Sequence, residues 1–157
     1  MLAQFMLNAQ NVPTMEKLTN KCEVFNILVN TEKGHPALTK FVQTGGIGPI
    51  LKMCEQIREN KVVTLVDRSN PMYGNDLQLF QKLVSALSNL PISARVLKDT
   101  KIGKGVNSIV KDQIFKGELI NETGLNLVNT WKDLARRGDA NSRDNSEKNT
   151  KTASSNN

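Results

Sequence analysis

In 157 residues the sequence has one histidine, one tryptophan, one tyrosine and two cysteines. Each scarcity excludes a class of function. Cys22 and Cys54 are too few for a disulfide framework. Both sit among apolar neighbours at helical spacing, the usual setting of a buried, reduced thiol. A cysteine nucleophile wants a histidine partner, and the lone His35 precedes Pro36 at an expected helix start. The carboxylates are scattered, and none pairs with histidine or cysteine at metal-ligand spacing. We therefore expect no enzyme, no metal and no cofactor. No apolar run approaches the roughly 20 residues that a membrane-spanning helix needs, so no membrane is expected as a partner. The opening MLAQFMLNAQNVP has neither a basic flank nor a long apolar stretch, which argues against a secretory signal.

Two glycine clusters look like phosphate loops and fail in detail. Gly45-Gly46-Ile47-Gly48-Pro49 lacks the third glycine and the preceding strand of a dinucleotide fingerprint. It also lacks the Gly-Lys-Ser/Thr of a nucleotide-triphosphate loop. Gly103-Lys104-Gly105 has no strand before it. Both read as punctuation between helices.

Large apolar residues are also missing from the end of the chain. From 138 to 157 (GDANSRDNSEKNTKTASSNN) nothing apolar is larger than alanine, and Arg143, Lys148 and Lys151 balance Asp139, Asp144 and Glu147. Such a segment cannot offset its ordering entropy by burial. We expect a disordered tail over 138–157, with the folded domain in 1–137. The net charge of +6 then belongs entirely to the folded part.

What is present has a helical period. Met15, Leu18, Cys22, Phe25 and Val29 alternate steps of three and four, which predicts a helix over 14–30. Pro36 opens a short helix with Leu38, Phe41 and Val42 inward, and Gly45 and Gly46 stop it. The next helix, with Pro49 in its first turn, buries Ile50, Leu51, Cys54 and Ile57 and breaks near Asn60. Lys61 to Val66 (KVVTLV) is β-branched, yet a lone strand has no partner, so a helix end or packed loop is expected. Asn70-Pro71 and Gly74-Asn75 read as turns, and Asp76 as the N-cap of a helix with Leu77, Phe80, Leu83, Val84 and Leu87 on one face. Ser93 caps a short helix, and a second short one buries Val106, Ile109 and Val110. A last helix over 118–136 has Ile120, Leu127, Val128, Trp131 and Leu134 on its stripe. Gly124 inside it implies close packing. Seven or eight short helices with no strand pair predict an all-α, right-handed bundle, with armadillo-like helices at its N-terminal side.

The basic excess is dispersed over loops: Arg58 and Lys61; Lys98, Lys101 and Lys104; Lys111 and Lys116; Arg136 and Arg137. Without aromatics for base stacking, direct nucleic-acid binding has little support. A docking surface for acidic peptides fits better.

The stretch 83–137 resembles the N-terminal (LW) domain family of the elongation factor TFIIS. The resemblance rests on Leu90-Pro91-Ile92, Leu97 and Thr100, Ile102-Gly103-Lys104, Val106-Asn107, and the closing Leu127-Val128-x-x-Trp131-Lys132-x-Leu134. Residues 21–51 (KCEVFNILVNTEKGHPALTKFVQTGGIGPIL) are further similar to the branch found in phosphatase 1 nuclear targeting subunits (PNUTS). Other bearers are elongin A and a Mediator subunit. The resemblance implies a nuclear, non-catalytic docking module of transcription regulators. Its partners would be disordered acidic motifs with an aromatic anchor, from transcription regulators or RNA polymerase II-associated factors. Phosphatase 1 would be reached only through segments outside this chain, because no basic–Val–x–Phe/Trp motif is present. The family groove would lie between Arg58–Tyr73 and Lys111–Glu118. Phe115 is then the leading contact, with Ile114, Lys116, Lys111, Arg58, Lys61, Tyr73 and Lys104 around it. Leu90, Pro91, Ile102, Gly103, Val106, Asn107, Leu127 and Trp131 would be structural.

Overall fold

The computed structural model describes the backbone of residues 23–154 and the side chains of 23–138 except Val63. A helix α1 covers 23–30. It is followed by α2 (Pro36–Gln43), α3 (Ile47–Glu59), α4 (Lys61–Val66), α5 (Pro71–Asn89), α6 (Ala94–Thr100), α7 (Ile102–Lys111) and α8 (Leu119–Ser154). There is no strand among the described residues, so the chain is all-α.

Local chemistry sets most boundaries. Before α2, His35 Nδ1 accepts from the Ala37 N–H at 3.1 Å, and Pro36 takes the first turn, where its missing N–H costs nothing. Gly45 follows at φ 89°, the left-handed stop that glycine adopts without strain. Ser93 Oγ accepts from the Val96 N–H at 3.2 Å and caps α6. A single left-handed residue, Lys101 (φ 59°, ψ 22°), both ends α6 and starts α7.

Helix α5 starts earlier than the sequence implies. Asn70 Oδ1 accepts from the Met72 N–H at 2.9 Å, with Pro71 next, so Asn70-Pro71 begins the helix instead of turning the chain. Asp76, expected as the cap, lies inside α5 at 8% exposure and accepts from Asn60 Nδ2 at 3.3 Å. The KVVTLV segment is helical. Its Thr64 hydroxyl bonds back to the Asn60 and Lys61 carbonyls, the route by which a buried threonine is satisfied in a helix.

The core is built around α5, whose Phe80, Leu83, Val84 and Leu87 are fully enclosed. In α1 the buried stripe is Val24, Phe25 and Leu28, with Val29 exposed, one step off the expected register. Met15, Leu18 and Cys22 lie outside the described residues. Asn89 Nδ2 donates to the carbonyls of Leu28 (2.7 Å) and Thr31 (2.8 Å), satisfying acceptors that the end of α1 leaves open. Helix α7 lies between α3 and α8, and α8 also touches α5 and α6. At Gly124 an added Cβ would sit 3.1 Å from Val110 Cγ2 and 3.4 Å from Phe80 Cζ. The glycine there admits the close approach that its position implied.

Helix α8 continues to Ser154, past the boundary expected at 138. No proline interrupts it, and Asp144/Lys148 and Glu147/Lys151 stand at the i,i+4 spacing that supports a helix without burial. The side chains of this stretch and residues 155–157 lie outside the description.

Candidate functional site

The expected groove is a closed joint. Arg58 Nε and Lys61 Nζ both reach Asp112 Oδ2, at 3.5 and 3.4 Å. Tyr73 Oη donates to Glu118 Oε1 at 3.5 Å, and the Arg68 guanidinium lies 5.7 Å from the Tyr73 ring centroid. Burial pushes the Tyr73 hydroxyl above its ordinary range, against the opposing pull of Arg68. So the segments Arg58–Tyr73 and Lys111–Glu118 do meet, and Arg58, Lys61 and Tyr73 are engaged by Asp112 and Glu118 across the joint.

Phe115 and Ile114 must be reassigned. Both are fully buried. Phe115 stacks on Phe80 (5.3 Å between centroids, 21°) and tilts against Tyr73 (5.7 Å, 55°). The reason is the backbone of the α7–α8 connection. Gln113 (φ 53°) and Gly117 (φ 89°) are both left-handed, and the turns they make aim the two apolar side chains inward. Tyr73 is also buried. Lys111 and Lys116 are exposed.

A different cleft is open. Between α6, α7 and α8 a groove of about 430 Å³ is floored by Leu97, Gly103, Val128, Trp131 and Ala135. Its size falls within the roughly 300–1,000 Å³ of ordinary ligand clefts. Lys98, Lys101, Lys104 and Lys132 stand around it, with Asn107 as its one uncharged polar lining side chain. All four lysines are exposed. The nearby carboxylates face other partners: Asp99 meets Arg95 at 3.6 Å and Asp133 meets Arg136 at 3.5 Å. No described carboxylate lies within ion-pair distance of any of the four lysines.

Of the expected contact residues only Lys104 belongs to this groove. Trp131 is 6% exposed, so it is a core residue whose remaining surface forms part of the floor. Gly103 and Asn107, expected as structural, line it too. Lys98 and Lys101 carry a sequence signal, the three-residue spacing they share with Lys104. Lys132 carries none, because only the tertiary fold brings it to them.

The arrangement suits binding of an apolar group with anionic flanks. Cys54 is enclosed by α3 and α7. Burial, with Glu55 nearby, pushes its thiol from an ordinary value of 9.0 up to about 12, so the reactive thiolate is suppressed. Among the described residues no three His, Cys, Asp or Glu side chains gather as a metal site, and no helix is long and apolar enough to cross a membrane. No protein-family model, curated protein or solved structure matches this chain.

Proposed function

We propose that the chain is a non-catalytic docking module of a nuclear transcription regulator, and that the α6–α7–α8 groove receives a short acidic segment carrying one aromatic anchor. The observation that carries this reading is the coincidence of an apolar floor with four exposed lysines on one cleft, none within ion-pair distance of a carboxylate among the described residues. A partner's aromatic ring would be buried against Leu97, Val128 and Trp131. Buried aromatic anchors dominate the energy of such contacts. The lysines would attract acidic flanks, raise the association rate and reject basic sequences. The groove falls within the stretch that resembles the LW domain, which supports the transcriptional setting. In that setting the partners are disordered motifs of transcription regulators or RNA polymerase II-associated factors, and phosphatase 1 is engaged through segments outside this chain.

The test is fluorescence polarisation with a labelled peptide holding one phenylalanine between runs of aspartate and glutamate. Lys101→Glu with Lys132→Glu should weaken binding at least tenfold, since reversing rim charges adds repulsion to lost attraction. Replacing the peptide's phenylalanine by alanine should abolish it. Added salt should weaken it further. Equal affinity for the charge-reversed variant and the unaltered chain would reject the groove. Tighter, steeply salt-dependent binding to duplex DNA than to any such peptide would favour nucleic acid as the partner.

A further inference from the structure

The α6–α7–α8 groove continues beyond its floor. Lys104, Asn107 and Lys111 recur along α7 at steps of three and four, and Leu125, Val128, Lys132 and Ala135 do the same along α8. Each set therefore lies on one face of its helix. Two close approaches fix how the helices lie together. An added Cβ at Gly103 would sit 3.8 Å from Trp131 Cε3, and one at Gly124 would sit 3.1 Å from Val110 Cγ2. The order reverses, so α7 and α8 are antiparallel, and Asn107 is level with the stretch between Leu125 and Trp131. Past Asn107 the pattern of the groove repeats. Leu125 is 41% exposed, and Lys111 is exposed at about the same level, its neighbour Asp112 being engaged by Arg58 and Lys61. Glu122, exposed one turn before Leu125, reverses the charge and ends the track.

Asn107 stands between the two apolar positions. Its side chain is half-buried and takes part in no hydrogen bond with another described residue. A carboxamide offers both donors and an acceptor, which complements a peptide main chain. A helical partner closes those main-chain groups on itself, whereas a polyproline-II segment leaves them open. The spacing agrees. Trp131 and Leu125 are six residues apart on α8, a rise of about 9 Å. One turn of polyproline II takes three residues over about 9 Å and returns the side chain to the same face.

We infer that the occupant of the groove lies extended in the polyproline-II form, pairs its main chain with Asn107, and sets a second apolar side chain on Leu125, three positions from its aromatic anchor. This rests on the acidic-segment reading of the groove and adds a register and a specificity-determining residue to it.

Fluorescence polarisation with a peptide series tests it. The parent peptide holds one phenylalanine among aspartates and glutamates. Its relatives add one leucine three positions before or after the phenylalanine, or seven positions away, the spacing of a helix face. One of the two three-position peptides should bind about fivefold tighter than the parent, since a leucine gains a partly buried contact. Leu125→Ala should remove that gain and leave the parent's affinity unchanged. Asn107→Ala should weaken the tighter peptide about fivefold, the worth of one hydrogen bond. It should also make binding insensitive to N-methylation at the main-chain amide where methylation costs the unaltered chain most. A parent that binds, with no gain from either three-position leucine, would overturn the inference and leave the groove standing. A larger gain at seven positions would overturn it in favour of a helical occupant. Unchanged affinity in Asn107→Ala would overturn the role of Asn107, and a parent peptide that fails to bind would overturn the groove reading and this inference together.

Discussion

Phe115→Ala separates a core residue from a surface anchor. The ring is fully buried and lies within 5.3 Å of Phe80 and 5.7 Å of Tyr73, centroid to centroid. Truncating a buried phenylalanine costs about 3–5 kcal/mol. Part of that is the aromatic contact itself, about 0.5–1.5 kcal/mol beyond area burial. The site has little means of collapsing, because the Tyr73–Glu118 bond and the two left-handed residues of the connection hold its walls. The upper half of the range is therefore expected. At roughly 4 °C per kcal/mol for a domain of this size, the midpoint of thermal unfolding should fall by about 16–20 °C. Phe115→Leu keeps most of the volume and should cost less than about 1.5 kcal/mol. Circular dichroism melts of the three proteins give these numbers. Peptide affinity, measured far below the midpoints, should be the same for all three. A melting midpoint within a few degrees of the unaltered chain, with affinity lost, would refute the burial argument and return Phe115 to the surface.

Two glycines should respond with opposite signs. Gly45→Ala places a Cβ at φ 89° and should cost about 1–2 kcal/mol, the usual penalty for a left-handed L-residue. Gly74 lies within α5 with nothing within 4 Å of an added Cβ, so Gly74→Ala should stabilise by about 0.5–1 kcal/mol. Urea unfolding midpoints decide both, and equal signs would contradict the assigned backbone. Cys54 should add to alkaline instability. Its folded-state value of about 12 lies above the ordinary 9.0, so the folded chain holds a proton that the unfolded chain releases. The stability this contributes is complete below pH 9 and is lost between 9 and about 12, at up to about 1.4 kcal/mol per pH unit. Cys54→Ala should flatten that part of the pH profile, and an unchanged slope would refute the burial of the thiol.

The helical content was legible because periodicity is a local property. The α5 stripe from Phe80 to Leu87 and the packing at Gly124 follow from spacing alone. Boundaries were less legible where one dipeptide serves two purposes. Asn70-Pro71 suits a turn, but it equally supplies a cap and a first-turn proline, and only packing against α4 selects the second. The direction of Phe115 was not legible at all. A connection has no period, and the left-handed angles at Gln113 and Gly117 that turn the ring inward leave no mark on composition. The charges show the same limit. Arg58 and Lys61 read as free cations because Asp112, which forms ion pairs with both, lies more than fifty positions away in the chain.

The groove itself is a consequence of how α6 and α7 are joined. Seven and ten residues long, they share one left-handed residue, Lys101. An L-residue in that conformation ends one helix and redirects the chain, so the two helices cannot run as one rod along α8. Both nevertheless contact α8. The space beside their junction is closed underneath by Trp131 and left open above. The same junction sets the charge. Lys98 falls in the last turn of α6, where a cation suits the helix dipole, whereas Lys104 falls in the first turn of α7, where it does not. A cation at a helix N-terminus adds nothing to folding. Four like charges around one cleft repel one another, and among the described residues no carboxylate lies within ion-pair distance of them to offset that. Among the described groups the rim is thus a cost to the isolated fold. The proposed anionic occupant would offset that cost, so charge reversal there should reduce binding while leaving stability unchanged or slightly raised.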